Sequence, residues 1–260
     1  KKEVNEKALK HYLVFQYNPL EESFFKGVKK LRPGHYYIFE NGKLEIKSYY
    51  NLTLDYKEMS FDEAVSKIEN EVEESVKYHK ISDVEVGSFL SGGVDSSYVV
   101  ATAMPNKTFS VGFDNKGFNE TVYAKELSDR LGIENFSKII TPDEFFDGIN
   151  KVQYFSDEPH ANLSSVALYF LSKLASEQVK VVLSGEGADE LFAGYNEYAE
   201  ALPQRIYKKL PFCLRNKLYK KLKDKRHFSG KTIVMKYGQK VEDRYIGPAE
   251  IMSDEPVSYT

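Results

Sequence analysis

Residues 87–97, GSFLSGGVDSS, gather Gly92 and Gly93, the hydroxyls of Ser91, Ser96 and Ser97, and the carboxylate of Asp95 just after an apolar run. Glycines reach backbone angles closed to other residues and let a bulky anion approach main-chain N–H groups, while serines add hydroxyl donors. A helix beginning near Ser96 would aim its unpaired N–H groups and positive dipole end at the same point. Those are the requirements of a pyrophosphate cradle. Asp95 is the discordant member, because a bare carboxylate repels phosphates unless a cation lies between them; magnesium, which prefers carboxylate and phosphate oxygens, resolves the conflict. The competing reading is that Asp95 merely caps a helix after a glycine turn. The chain contains no G-x-x-x-x-G-K-[ST] sequence, so this is not a Walker loop.

Residues 184–190, SGEGADE, repeat the pattern with Ser184, Gly185, Glu186, Gly187 and Asp189. Asp189 would give the same metal a second carboxylate, and Glu186 would point at the reacting groups. Taken alone, the stretch is equally an acidic loop.

These turns need elements to position them. VEVGSFL (84–90), TFSVGF (108–113), FSKIIT and VKVVLS (179–184) read as four strands. Between and before them lie predicted helices. The first is capped by Ser60 with Glu63, with Phe61, Ala64, Val65, Ile68, Val72 and Val76 at helical spacing. Others run from about Ser96, from about Asn119 to Leu131 with Gly132 as stop, and from Thr141 through Pro142 and Glu144. A last one covers about 163–177. Strands separated by helices imply a parallel sheet with helices on both faces. In such a sheet ligands bind outside the carboxyl ends of the strands, which is where the glycine stretches fall. Earlier in the chain, HYYIFENGKLEIKSYY (35–50) alternates around Asn41-Gly42 and reads as a hairpin.

LSGGVDSS resembles the pyrophosphate loop of the ATP-pyrophosphatase class, and LSGEGADELFAGY is similar to a segment of the synthetase half of glutamine-dependent asparagine synthetases. RPGHYY (32–37) looks like the end of that family's glutaminase domain, TFSVGF like its adenine-contacting strand, and DEPHANLSS (157–165) like its next loop. The likeness runs from about Leu13 to Tyr195. It implies an adenine-nucleotide alpha-hydrolase-like fold in three parts: residues 1–57 as the tail of a glutaminase-side domain, 58–200 as the ATP-pyrophosphatase core, and 201–260 as a basic helical start of a truncated C-terminal region. It implies a ligase that uses ATP and Mg2+ to adenylate aspartate, release pyrophosphate, and amidate the product with ammonia derived from glutamine. Carried over by position, Ser91, Gly92, Gly93, Asp95, Ser96 and Ser97 would bind pyrophosphate. Phe89, Leu90, Ser91, Val111, Ser184 and Gly185 would bind ATP or AMP, Asp95 and Asp189 the metal, and Glu186 would be catalytic. Asp157 and Glu158 are weaker candidates, since acids at a helix entry commonly only complement its dipole.

The resemblance is incomplete. The family's glutaminase uses an N-terminal cysteine, whereas this chain opens on Lys1 and its one cysteine is Cys213, which reads as a packed small hydrophobe. Glutamine hydrolysis is therefore not assigned to it. The family's later arginine-, glutamate- and proline-containing segment and its lysine are not found before Thr260, and a fragment cut at both ends is the expectation.

Composition bounds the rest. No apolar run approaches the roughly 20 residues of a membrane span, no signal peptide is recognisable, and one cysteine excludes an internal disulfide, so a cytoplasmic location is expected. Eleven Lys and Arg stand between Arg205 and Lys231 against the single acid Asp224, leaving about -13 on the remainder of a chain of net charge -3. This block reads as a solvated helical pair rather than an RNA surface. The rival functions are a β-lactam synthetase or peptide cyclase, or a tRNA-modifying pyrophosphate-loop enzyme. The small-molecule partners expected are ATP, aspartate and ammonia; oligomers are compatible with the sequence. The five histidines show no metal-ligand spacing.

Overall fold

The computed structural model describes residues 3–115, 119–160, 162–195, 198–225 and 228–240. Ala161, Arg226, His227 and the stretch from 241 to Thr260, all touched by the expectations above, lie outside the described residues. By internal contacts the chain divides into two units, residues 1–9 with 17–186, and residues 10–16 with 187–260. Among the described residues no helix is long and apolar enough to cross a membrane.

Helix α1 (Glu6–Phe15) opens at Asn5, whose side-chain oxygen accepts from the N–H groups of Lys7 and Ala8 at 3.2 and 3.4 Å. The expected hairpin is present as β1 (His35–Glu40) and β2 (Lys43–Ser48). Asn41 (φ 51°) and Gly42 (φ 74°) both take left-handed angles, the type I′ turn whose twist matches the flanking strands. Almost every hairpin residue is exposed, so alternation here does not mark one buried face.

Helix α2 (Phe61–His79) starts where expected, with Ser60 Oγ accepting from Glu63 N at 3.2 Å. Its stripe is only half used. Val72 and Val76 pack with Val86, Val99, Ala103 and Leu183, whereas Phe61, Val65 and Ile68 are exposed.

The core is a parallel sheet of β3 (Val86–Phe89), β4 (Lys107–Phe113), β5 (Glu134–Ile140) and β6 (Val181–Leu183) in the order β5-β4-β3-β6. Connecting helices are α3 (Val94–Ala103), α4 (Thr121–Leu131), α5 (Pro142–Phe155) and α6 (Ser164–Ser176). The two-residue alternation along β4 separates the faces. Thr108 shares a hydrogen bond of 2.9 Å with Ser128 of α4. Phe109 packs instead among Ala175, Val179 and Leu171, and Val111 among Ile140, Val152, Val166 and Phe170. Helices α2, α3 and α4 thus cover one face, and α5 and α6 the other.

Local signals explain the boundaries. Gly132 ends α4 at φ 69°, and Thr141, Pro142 and Glu144 open α5 through a full capping box. One boundary differs from expectation. Helix α3 begins at Val94 rather than near Ser96, because Gly93 takes the extended N-cap angles (φ −73°, ψ 165°) and its carbonyl accepts from Ser97 N at 3.1 Å.

The second unit contains α7 (Ala188–Phe192), α8 (Leu202–Lys208), α9 (Phe212–Leu222) and α10 (Lys231–Tyr237). Arg215 Nη1 donates to Tyr237 O at 2.7 Å and Asn216 Nδ2 to Gly238 O at 2.9 Å, tying α9 to the end of α10. Cys213 is exposed, contrary to its expected packing, since α9 turns Arg215, Asn216 and Tyr219 inward.

Candidate functional site

From β3 the chain moves outward through β4 to β5, then returns to place β6 on the other side of β3. The strand order reverses between β3 and β6, the point where open parallel sheets form a crevice at their carboxyl ends. Ser88 pairs with Leu183, so residues 90–97 and 184–186 leave the sheet side by side. They touch. A Cβ on Gly185 would stand 3.0 Å from Ser96 N and 3.1 Å from the Asp95 carbonyl carbon. A glycine lets the second turn lie against the start of α3 without pushing its backbone aside.

The first turn is organised by its own hydroxyls. Ser91 Oγ and Ser96 Oγ are 2.9 Å apart, Ser96 Oγ also accepts from Ser91 N at 3.2 Å, and Ser91 Oγ accepts from Gly93 N at 3.2 Å. Gly92 sits at φ 86°, and a Cβ there would meet Tyr123 Cβ at 2.8 Å. The loop therefore rests on the first turn of α4, at Glu120, Tyr123 and Ala124, a floor that nothing in the motif spacing marks. Gly93 caps α3 without a side-chain hydrogen bond, which leaves the helix's first N–H groups available to an anion. Asp95 lies in the first turn of α3, exposed, with no ion pair or side-chain hydrogen bond among the described residues.

The remaining expected residues are placed unevenly. Ser184, whose Oγ accepts from Glu186 N at 3.2 Å, and Glu186 are exposed beside the first turn. Leu90 is 1% exposed within a core of Val100, Ala124 and Ile133, and Phe89 and Val111 also turn into apolar clusters. These three offer a ligand only their backbone. Asp157 and Glu158 follow the end of α5 at Ser156 instead of opening a helix, so dipole complementation does not account for them. In the second unit Asp189 is half-buried and folds over Gly194, where a Cβ would strike Asp189 Oδ1. Beside it the Tyr195 hydroxyl donates to Glu190 Oε1 at 2.6 Å. That bond holds the Glu190 carboxyl below its usual range and pushes the Tyr195 phenol up to about 12.

No group of three or more His, Cys, Asp or Glu side chains among the described residues could enclose a metal. A lone carboxylate beside hydroxyl and N–H donors is instead a donor set that fits a hard cation held jointly with phosphate oxygens and water. It is a poor fit for zinc, which takes nitrogen and sulfur ligands.

Two families match this sequence, asparagine synthase over residues 67–256 and a glutamine amidotransferase domain over residues 1–50. Asparagine synthetase [glutamine-hydrolyzing] 1 of Bacillus subtilis is 39% identical over 97% of this chain and 41% of its own length. A putative asparagine synthetase [glutamine-hydrolyzing] of Mycobacterium tuberculosis is 35% identical over 96% of this chain and 40% of its own. A solved glutamine-dependent NAD+ synthetase from Acinetobacter baumannii is similar at 17% identity over 75% of this chain and 48% of that one, with a TM-score of 0.35. The chain spans about 40% of the length of the curated relatives it matches. With the asparagine synthase match covering both glycine turns and the sheet between them, the chain belongs to the asparagine synthase family.

Proposed function

We propose that this chain carries the ATP-dependent, carboxylate-activating site of a glutamine-hydrolysing asparagine synthetase. The observation that carries the reading is the contact of Gly185 with the Asp95–Ser96 backbone, which makes two turns from opposite ends of the core into one crevice at the strand-order reversal.

In the proposed reaction an aspartate side-chain oxygen attacks the α-phosphorus of ATP, the α–β bridging bond breaks, and pyrophosphate leaves with its electron pair. Ammonia nitrogen then attacks the acyl carbon of β-aspartyl-AMP, AMP departs, and a proton is lost to give asparagine. Ser91, Gly92, Gly93, Ser96 and Ser97 hold the pyrophosphate through hydroxyls and N–H groups already oriented before the bond breaks. Such preorganised donors are the usual main source of rate in phosphoryl-type transfer. The backbones of Phe89, Leu90, Val111 and Gly185, with Ser184, line the nucleotide, and Glu186 orients substrate or moves a proton. Asp95 and Asp189 are proposed to bind magnesium, which when present neutralises charge on the phosphates. The role of Asp189 rests on sequence resemblance.

The test is aspartate-dependent exchange of labelled pyrophosphate into ATP by the complete natural protein. Exchange with aspartate is expected; exchange only with another carboxylate would sink the asparagine assignment while keeping the adenylating chemistry. Asp95→Asn is expected to abolish magnesium-dependent ATP binding by calorimetry with little change in thermal stability, and unaltered affinity would remove the metal role.

A further inference from the structure

Away from the glycine turns, one ion pair ties residues 17–32 of the first unit to the loop after α5. Lys30 Nζ donates to Asn18 O at 2.9 Å and stands 2.9 Å from Glu158 Oε1. That oxygen is sealed from solvent and accepts no hydrogen bond from the described residues, so the ammonium charge is what compensates it. Lys30 is held in turn by its surroundings: its N–H donates to Glu21 O at 2.6 Å, and Asn18, 3% exposed, accepts from Leu20 N at 3.2 Å.

On its other side the same loop is gripped by α5. Gln153 Nε2 donates to His160 O at 2.7 Å, and Gln153 Oε1 accepts from His160 N at 2.8 Å. Between the two clamps Asp157 takes a left-handed angle (φ 58°), uncommon for a residue with a side chain. A cavity of about 330 Å³ lined by Val4, Phe24, Phe25 and Pro159 adjoins the loop. Side-chain clamps, rather than close packing, therefore set its position.

The loop leads to the reaction edge. Helix α6 packs on β4 and β5 and ends four residues before β6 begins, so its start, directly after the loop, lies toward the carboxyl ends of the strands. Lys30 falls in the stretch matched by the amidotransferase family and Glu158 in that matched by asparagine synthase.

We propose that the Lys30–Glu158 pair is a positioning joint between the amidotransferase segment and the synthetase loop, and that it governs how much of the ammonia released from glutamine is captured as asparagine. This rests on the function proposed above. Neither residue is assigned contact with substrate. Without the ammonium, the sealed Glu158 oxygen would draw the loop outward toward water.

The test uses Lys30→Met in the complete natural protein. Glutamate released and asparagine formed are counted together with glutamine as nitrogen source, and asparagine formation is measured separately with ammonium. Asparagine formed per glutamate is expected to fall by about three-fold or more, while the ammonium-supported rate stays within about two-fold. Hydrogen exchange of the Asp157–His160 segment is expected to quicken, and the reversed pair Lys30→Glu with Glu158→Lys to restore both readings. An unchanged ratio overturns the proposal, as does a parallel fall of both activities without rescue by the reversed pair. Absence of ammonium-supported synthesis in the unsubstituted protein would overturn the asparagine reading, and the capture role with it, whatever the exchange result.

Discussion

At the scale of single residues, the crevice depends on what is missing from two positions. Gly92 is held at a positive φ with Tyr123 2.8 Å from where a Cβ would stand, and Gly185 lies against Ser96 N. Gly92→Ala would meet both a disfavoured angle and a backbone-near obstacle, at a cost of about 1–3 kcal/mol. Calorimetric titration is expected to register this as ATP affinity weakened by about ten-fold or more; unchanged affinity would mean that the turn is not where phosphate binds. Gly93 acts differently, since it is exposed and meets only the movable Ser91 hydroxyl. The types and order of these residues were legible in the sequence because a positive φ and a close backbone approach favour glycine. Their support was not. The α4 floor and the Lys30–Glu158 pair join residues far apart in the chain, and local spacing carries no record of such contacts.

At the scale of elements, the sheet and its helices were readable from two-residue and 3.6-residue periods and from Gly132, Thr141 and Pro142 at the helix ends. The same reading gave α2 a stripe from Phe61 to Val76, but only its final turns meet the core; periodicity reports which residues share a face, not what covers it. Helix α5 gives the sharpest test of capping. Lys138 bonds Glu144 at 2.8 Å and the Thr141 N–H bonds it at 3.0 Å, and these hold its carboxyl below the usual range. A carboxyl lowered on folding adds stability that is present above the ordinary carboxylate range and is lost as pH falls through the lowered value. Glu144→Gln is thus expected to melt earlier than the parent at neutral pH and to converge with it in acid. A gap that persists in acid would assign the effect to packing. Deeper in the sheet, Phe109 is fully buried and stacks on Phe136 at 5.6 Å. Phe109→Ala is expected to cost about 3–5 kcal/mol in denaturant unfolding.

At the scale of the whole molecule, charge is distributed unevenly. Lys217, Lys220, Lys221 and Lys223 are exposed on and just after α9, while Tyr219, the aromatic among them, is half-buried and turned away from a base-stacking position. Gel-shift titration with tRNA is expected to show only weak binding that disappears at moderate salt. Retention at physiological salt would favour a tRNA-modifying enzyme instead. The contact of Gly185 with Ser96 also bears on how the protein is made. It joins positions 89 residues apart, and β6, the last strand among the described residues, must dock on β3 before the contact exists. Pairings of such long range form late, after the local hairpins and helices. A chain still on the ribosome would display the whole serine-glycine turn for as long as it takes to synthesise those residues without having a crevice. If ATP binds the closed crevice as proposed, it would favour the finished sheet over every partly folded state.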